Sequence, residues 1–268
     1  MKQISAVIIA GDASRTIART LQSLETFPEV VVYANGSHDN TAEIAETFPN
    51  TRVVRGDFIG FGPTKNRAAE HASNDWIFSI DADEYVDREL VDALSAVDLD
   101  DPDVAYAVER RNLFMGKLVT RGGWGNDWLV RLYNRKRCRF NDAVVHEQVD
   151  IPRGCRTVRL PGGLWHEAVT ELDQILQKIS RYSELRRRDH ARTAHSPPVI
   201  LLRTFWAFFR SYVLEAGFLE GWRGVVIAFG NATGTFFRHM KRYADKAVAA
   251  EKAAESASTD AVLRPGPR

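Results

Sequence analysis

The stretch Trp76-Ile77-Phe78-Ser79-Ile80-Asp81-Ala82-Asp83-Glu84 decides the fold, because it is an apolar strand that runs directly into two carboxylates. On an extended backbone, residues i and i+2 project to the same side, so Asp81 and Asp83 can converge at the end of the strand. Mg²⁺ and Mn²⁺ prefer carboxylate oxygens and usually share them with substrate phosphates. The pattern therefore indicates a divalent cation that carries a phosphorylated ligand. For an isolated Asp-x-Asp the alternative is a solvated turn with only local hydrogen bonds.

The segments around this strand alternate between strand and helix patterns. Continuous apolar runs, which are typical of buried parallel strands, occur at 4–10, 30–33, 53–54 and 76–80. Apolar residues at helical spacing predict helices over 14–24, about 40–48 and about 64–72, with a Gly-Phe-Gly-Pro loop at 60–63. This order predicts an α/β fold. Because parallel sheets bind ligands at the carboxyl ends of their strands, Asp12, Asn35 and Asp81 are expected to lie close together.

Composition sets broad limits. The 268 residues, 44% of them hydrophobic, suit one large domain or a domain with an appendage. Lys and Arg total 36 against 35 Asp and Glu, so bulk charge does not predict a nucleic-acid partner. Cys138 and Cys155 have neither C-x-x-C spacing nor a companion His/Cys cluster, which fits a reducing cytosol. The short apolar run after Met1 is interpreted as the first buried strand rather than as a secretion signal.

Four motifs occur in the order that one enzyme family shows. They are Ala6-Val7-Ile8-Ile9, Asn35-Gly36-Ser37-His38-Asp39-Asn40-Thr41, Gly60-Phe61-Gly62-Pro63-Thr64-Lys65-Asn66 and Ser79-Ile80-Asp81-Ala82-Asp83-Glu84. With them the chain resembles the inverting glycosyltransferases of family 2, which have the GT-A fold. Over about residues 4–240 it further resembles the bacterial lipopolysaccharide core β-1,4-glucosyltransferases, through Gly123-Trp124-Gly125-Asn126-Asp127-Trp128-Leu129-Val130-Arg131-Leu132-Tyr133-Asn134, Val145-His146-Glu147, Leu164-Trp165-His166 and Lys178-Ile179-Ser180-Arg181-Tyr182-Ser183.

The resemblance implies a fold, a donor and a metal. The fold would be a Rossmann-like mixed α/β sheet of the nucleotide-diphospho-sugar transferase type, with helices on both faces and C-terminal amphipathic helices. The donor would be a nucleotide-diphospho-hexose, with uridine and glucose expected, bound together with Mg²⁺ or Mn²⁺. The implied donor-binding residues are Ala10, Asp12, Asn35, Ser37, Lys65, Asp81, Ala82 and Asp83, and the implied metal ligands are Asp83, Asp81 and His166.

Two positions depart from the family pattern. The family has Asn where Asp12 stands, and near Ala34 it has an Asp that contacts the nucleotide. Ala34 cannot accept such a hydrogen bond, so either Asn35 or Asp12 makes this contact or the nucleotide preference is altered. Lys65, which follows the Gly-rich loop, is predicted either to meet phosphate or to be a solvated surface lysine.

An inverting transfer needs a base that takes the proton of the acceptor hydroxyl. The resemblance implies a carboxylate from the second half of the domain, and Asp127 is the first candidate. It stands between Trp124 and Trp128, whose rings could stack on sugar faces and exclude water. The alternative for an Asp after Gly-Asn is a helix cap or turn.

Glu147, next to His146 at a predicted strand end, is the second candidate base, although such a pair is often only structural. His166 is predicted to follow another apolar strand end, and outside the family likeness it would be interpreted as a core histidine. Arg131 is predicted to contact phosphate or the acceptor, because a guanidinium pairs well with anionic oxygens. His146 is grouped with it as an acceptor contact.

The C-terminal third has a different character. After Pro197-Pro198 it mixes aromatic residues such as Trp206 with arginines such as Arg203, and no apolar run reaches the ~20 residues of a spanning helix. Helices of this kind lie at membrane interfaces, so we predict peripheral association with the anionic inner face of the bacterial cytoplasmic membrane. Helices packed on the catalytic domain are the alternative. The predicted organisation is a catalytic domain over 1–196, an amphipathic helical region over 197–246 and a frayed helix with a disordered tail over 247–268.

The sequence thus predicts a glycosyltransferase that acts on a glycolipid or cell-envelope glycan, such as a lipopolysaccharide core. Two other hypotheses stay open at this point. A nucleotidyltransferase would also use paired aspartates and a metal near a parallel sheet, but it would release pyrophosphate. A degenerate, non-catalytic sugar-nucleotide-binding protein is suggested by Ala34 and Asp12 and opposed by Asp81, Asp83 and Asp127.

Overall fold

The computed structural model describes residues 3–142, 147–187 and 194–263. Its strands are β1 (Ile4–Ala10), β2 (Glu29–Asn35), β3 (Thr51–Gly56), β4 (Trp76–Asp81), β5 (Glu84–Val86), β6 (Val104–Phe114), β7 (Lys117–Leu118), β8 (Asp127–Asn134), β9 (Arg139–Phe140), β10 (Val149–Asp150) and β11 (Arg156–Val169). Its α-helices are α1 (Ile17–Ser23), α2 (Thr41–Glu46), α3 (Phe61–Glu70), α4 (Arg88–Ala96), α5 (Asp173–Arg187), α6 (Pro197–Phe209) and α7 (Trp222–Leu263).

The large sheet is mixed, with strand order β3-β2-β1-β4-β8-β6-β11-β5 and β7 paired to β6. The first four strands in this order run parallel, β8 is antiparallel to both of its neighbours, β11 runs parallel to β6, and β5 is antiparallel to β11. β9 and β10 form a separate antiparallel pair. This is the mixed α/β sheet that the sequence predicts.

Two apolar cores cover the two faces of this sheet. On one face α1 and α4 pack through residues such as Leu21 and Leu90 against Ile8 and Phe78 of the sheet. On the other face α3 and the β9–β10 pair pack against residues such as Tyr133. Because both faces are covered, the central strands have apolar side chains at consecutive positions instead of an alternating pattern.

The structure corrects two element boundaries. α3 begins at Phe61, three residues before the predicted Thr64, because Gly60 adopts φ +109° and turns the chain into the helix directly. Pro63 is tolerated in this first turn because backbone N–H groups there have no intrahelical acceptor. His166 does not follow a strand end but lies inside the 14-residue β11, which is hydrogen-bonded to β6 on one side and to β5 on the other.

The chain divides into two compact units. One comprises Met1–Thr120 and Trp124–Thr170, and the other comprises Arg121–Gly123 and Glu171–Arg268. In the second unit α7 packs against α5 and α6, and a π-helical turn (Arg210–Leu214) and a 3₁₀ helix (Gly217–Glu220) connect α6 to α7. Within the described ranges, each helix is too short or too polar to span a bilayer.

Candidate active site

Loops after β1 and β2 meet at the carboxyl edge of the sheet. The backbone N–H of Asp12 donates to Ser37 Oγ over 3.0 Å, and the N–H of His38 donates to Asp12 Oδ1 over 2.7 Å. Asp12 has φ +50°, a left-handed conformation that Asp tolerates better than most residues. The structure therefore brings together two predicted donor-binding residues, Asp12 and Ser37.

Asp39 and Thr41 fix the same two loops from the other side. The Asp39 carboxylate accepts hydrogen bonds from the N–H groups of Ser14 (3.0 Å) and Thr41 (3.1 Å), and Thr41 Oγ1 accepts one from the N–H of Ala13 (2.8 Å). The hydroxyl of Thr41, followed by the contacts with Ser14, holds the pKa of Asp39 well below its ordinary value. An ionised Asp39 thus holds the loops after β1 and β2 together.

Asn35 ends β2 and has a buried side-chain oxygen, Oδ1, with no hydrogen-bond partner among the described residues. A buried carbonyl oxygen without a donor is costly, and a ligand that supplies one would remove this cost. Neighbouring Ala34, 6% exposed, pairs in register with Ala10 of β1 and cannot accept a hydrogen bond through its side chain. Of these two neighbours, therefore, only Asn35 has a side-chain oxygen that could accept a hydrogen bond from a ligand.

Asp81, the last residue of β4, is held by two cations. Its carboxylate lies 2.7 Å from Lys65 Nζ and 2.9 Å from an Nη of Arg131. Burial by itself would raise the pKa of Asp81, but these two charges outweigh it and hold the pKa far below its ordinary value. Lys65 is 3% exposed and is therefore not the solvated surface lysine of the alternative prediction.

Glu84 was not identified by sequence reasoning as a site residue, yet it organises the centre of the site. It is fully buried, accepts the N–H of Asp81 over 3.0 Å, and lies 2.7 Å from an Nη of Arg131. Burial of Arg131 would lower the pKa of its guanidinium, but Glu84 and Asp81 raise it well above the ordinary value. The structure thus places Arg131 in a buried ion-pair cluster, where each charge has a hydrogen-bonded partner.

The two candidate bases lie at opposite ends of this cluster. Glu147 Oε1 lies 2.8 Å from Lys65 Nζ, and Asp127 Oδ2 lies 2.7 Å from an Nη of Arg110. Arg110 also lies 3.7 Å from Glu84. Ion pairs of alternating sign therefore join the residues in the order Glu147, Lys65, Asp81, Arg131, Glu84, Arg110 and Asp127.

Asp83 and His166 form the second predicted group that the structure brings together. His166 Nε2 lies 3.4 Å from Asp83 Oδ2, and His166 Nδ1 lies 2.7 Å from Asn112 Oδ1. The amide of Asn112 is oriented by its Nδ2, which donates to the backbone carbonyl of Trp124 over 3.0 Å. Asn112 Oδ1 therefore faces His166 Nδ1 as a hydrogen-bond acceptor, and Nε2 on the other side of the ring faces the Asp83 carboxylate.

A carboxylate oxygen and an imidazole nitrogen at this separation could ligate one cation together, and a hydrogen bond at the other ring nitrogen is the usual support of a metal-binding histidine. Asp83, 42% exposed at its side chain, is accessible to a ligand. Within the described ranges, three or more His, Cys, Asp or Glu side chains do not converge at any one point in a way that could hold a metal. A cation held by Asp83 and His166 would have coordination positions open to phosphate or water.

The predicted aromatic residues do not both flank Asp127. Because side chains alternate along β8, Trp128 projects to the opposite face of the sheet from Asp127, and the guanidinium of Arg159 lies 4.6 Å from its ring centre. Trp124 is tilted against Phe114, with the ring centres 5.7 Å apart. Asp127 itself begins β8 after Asn126, whose φ of +56° makes the turn, so Asp127 is not a helix cap. His146 lies outside the described residues.

A mixed α/β sheet with a carboxylate and imidazole pair and a further carboxylate on β8 is the arrangement of an enzyme of the GT-A transferase class. The model of the family described as "Glycosyl transferase family 2" matches residues 5–156, more than half of the sequence. The chain therefore belongs to glycosyltransferase family 2. This confirms the family, the α/β GT-A fold and the enzyme class that the motifs predict.

Similar proteins span nearly the whole chain. A lipopolysaccharide core biosynthesis glycosyltransferase of Rhizobium meliloti, LpsC, is 28% identical over 256 residues, covering 88% of this chain and 93% of the relative. An uncharacterized glycosyltransferase of Rickettsia prowazekii is 28% identical over 254 residues, covering 90% and 87% of the two chains. Among solved structures, TarS 1–349 of S. aureus has 16% identity and a TM-score of 0.45, covering 92% of this chain and 91% of that chain.

Proposed function

We propose that the protein transfers a hexose, with inversion, from a uridine-diphospho-sugar to a glycolipid or cell-envelope glycan such as a lipopolysaccharide core. The observation that carries this proposal is the juxtaposition of Asp83 and His166 near Asp81 at the edge of the sheet, where a diphosphate could complete a cation's coordination. The relative from Rhizobium meliloti, named for lipopolysaccharide core biosynthesis, supports the acceptor class. Glucose is the hexose that we expect.

In this proposal Asp83 and His166 hold Mg²⁺ or Mn²⁺, which when bound neutralises charge on the departing diphosphate. Asp12, Ser37 and Asn35 surround the nucleoside, with the unpartnered Asn35 Oδ1 accepting a hydrogen bond from it. Asp81 stays ionised beside Lys65 and accepts from ribose hydroxyls rather than binding the metal. The buried ion pairs thereby hold the Asp81 carboxylate in position before the donor binds.

Asp127 is the proposed base. It takes the proton of the acceptor hydroxyl at Oδ1, the acceptor oxygen bonds to the anomeric carbon, and the bond from that carbon to the diphosphate breaks with its electron pair going to the diphosphate. Glu147, whose side chain is 16% exposed against 27% for Asp127, is less accessible. Arg131 is assigned to holding Asp81 and Glu84, not to the acceptor.

The test is a donor panel: Mn²⁺-dependent release of nucleoside diphosphate from several nucleotide sugars, without and with a bacterial lipid-extract acceptor. We expect release from one uridine-diphospho-hexose, stimulated by the acceptor, and a product of inverted anomeric configuration by NMR. Release of pyrophosphate from a nucleoside triphosphate would support a nucleotidyltransferase instead. Donor binding without turnover in any reaction would support the degenerate binding protein.

We also propose that the second unit holds the enzyme on the cytoplasmic face of the bacterial membrane. Residues 197–246 contain seven Lys and Arg against three Asp and Glu, a net charge of +4 in a chain whose total is +1. The same region exposes large apolar side chains, among them Leu202 (67%), Phe205 (65%) and Trp206 (54%). Exposed aromatic and aliphatic residues beside basic ones suit anionic headgroups and the shallow interface beneath them.

The variant Phe205→Glu/Trp206→Glu is expected to partition at least about tenfold less onto vesicles with anionic lipid, because two large apolar side chains would no longer be buried in the interface. Sedimentation with phosphatidylglycerol-containing vesicles measures this. Val248→Glu, at an exposed position of α7 outside the 197–246 segment, is the matched control and should bind normally. Equal binding of all three proteins would show that the segment does not contact the membrane.

A further inference from the structure

Arg110 holds one oxygen of the proposed base. It lies on β6 in register with Asp127 on β8, so the two side chains share one face of the sheet. Arg110 Nε lies 2.8 Å and an Nη lies 2.7 Å from the same atom, Asp127 Oδ2. One charge-assisted hydrogen bond and a second close ion-pair contact to the same oxygen restrict rotation of the carboxylate and leave its other oxygen free of the guanidinium.

Arg110 is itself held by a buried carboxylate, that of Glu84. Its second Nη lies 3.7 Å from Oε1 of Glu84, which is fully buried and is held by Arg131 at 2.7 Å. A surface ion pair would be mobile and screened by solvent, but Arg110 and Asp127 are only 26% and 27% exposed. The position of the Asp127 carboxylate is therefore determined by a buried cluster and not by the strand backbone alone.

We propose that Arg110 is a positioning residue for the transfer reaction: it fixes Asp127 through Oδ2 and so presents Oδ1 to the acceptor hydroxyl. This rests on the proposed function, in which Asp127 is the base. Since a displacement of about 1 Å of a reacting group can cost 10²-fold in rate, loss of this contact should act on turnover and leave donor binding intact. A purely structural cross-strand ion pair would not have this selectivity.

The experiment compares Arg110→Gln and Arg110→Lys with the wild type, by steady-state transfer and by donor binding in calorimetry. We expect kcat to fall about 10²-fold in Arg110→Gln, with donor Kd changed less than about twofold, and Arg110→Lys to recover part of the loss because it restores the charge. Arg111→Gln is the matched control. Arg111 has the same side chain one residue later, with 28% exposure, pairs with Asp87 and projects to the other face of the sheet, so kcat should stay close to that of the wild type.

A double-mutant comparison separates this proposal from the proposed function. On the residual transfer of Asp127→Asn, adding Arg110→Gln should cost less than about threefold, because a residue that acts through Asp127 has nothing left to position. If the two losses multiply, or if Arg110→Gln mainly weakens donor binding or lowers kcat no more than Arg111→Gln does, the positioning role is wrong. If Asp127→Asn retains normal transfer, the assignment of the base is wrong instead. Thermal unfolding of each variant shows whether it is folded.

Discussion

Asp127→Asn reduces sugar transfer by about 10²–10⁴-fold while donor affinity stays near that of the wild type, the range that general-base catalysis typically contributes. The substitution keeps the size of the side chain and an oxygen that can accept a hydrogen bond from Arg110. It replaces the basic carboxylate by a neutral amide, which cannot take the proton of the acceptor hydroxyl. The strands should be unaffected, because Asp127 contributes to β8 through its backbone. A transfer assay with the donor identified in the panel measures the loss of activity. Calorimetry of donor binding measures whether the affinity is unchanged.

Glu147→Gln serves as the comparison for Asp127→Asn. It removes the other candidate carboxylate and loosens Lys65, so a small effect on donor affinity is compatible with the proposal, but transfer should persist. The opposite pattern, with near-normal transfer in Asp127→Asn and loss in Glu147→Gln, would assign the base to Glu147.

Asp83→Ala is expected to abolish metal-dependent donor binding and to lower kcat/KM at least about 10³-fold, because the diphosphate would lose the cation that carries part of its charge. His166 would remain as a single protein ligand, held by Asn112, and one imidazole cannot retain a hard cation against solvent. Titration of donor into protein with and without Mn²⁺ measures the effect. His166→Ala should reproduce it in weaker form, since imidazole is the softer of the two ligands.

Asp92→Ala is the control for Asp83→Ala. It removes a carboxylate that is 67% exposed on α4 and lies 3.4 Å from Nε of the solvated Arg88, so donor binding and its Mn²⁺ dependence should not change. Unchanged Mn²⁺-dependent binding by Asp83→Ala would overturn the proposed metal site. Donor binding and transfer by the wild type without added metal would also overturn the proposed metal site.

Much of the fold follows from local patterns. The apolar runs at β1, β2 and β4 predict buried parallel strands because a sheet covered on both faces requires apolar side chains at consecutive positions. α3 begins three residues before the predicted start, since a glycine with φ +109° can begin a helix without the residues that usually mark one. The full length of β11 does not follow from local sequence, because its pairing partners β5 and β6 are distant along the chain.

The sequence by itself determined the family and the α/β class, because these depend on short motifs and on runs of apolar side chains. Only the tertiary structure decided which charges pair. Lys65 meets Glu147 across 82 residues, Arg131 meets Asp81 across 50, and His166 meets Asn112 across 54. Such pairings cannot be predicted from local sequence, because only chain folding brings these side chains together. Burial then removes the water that would otherwise screen their charges.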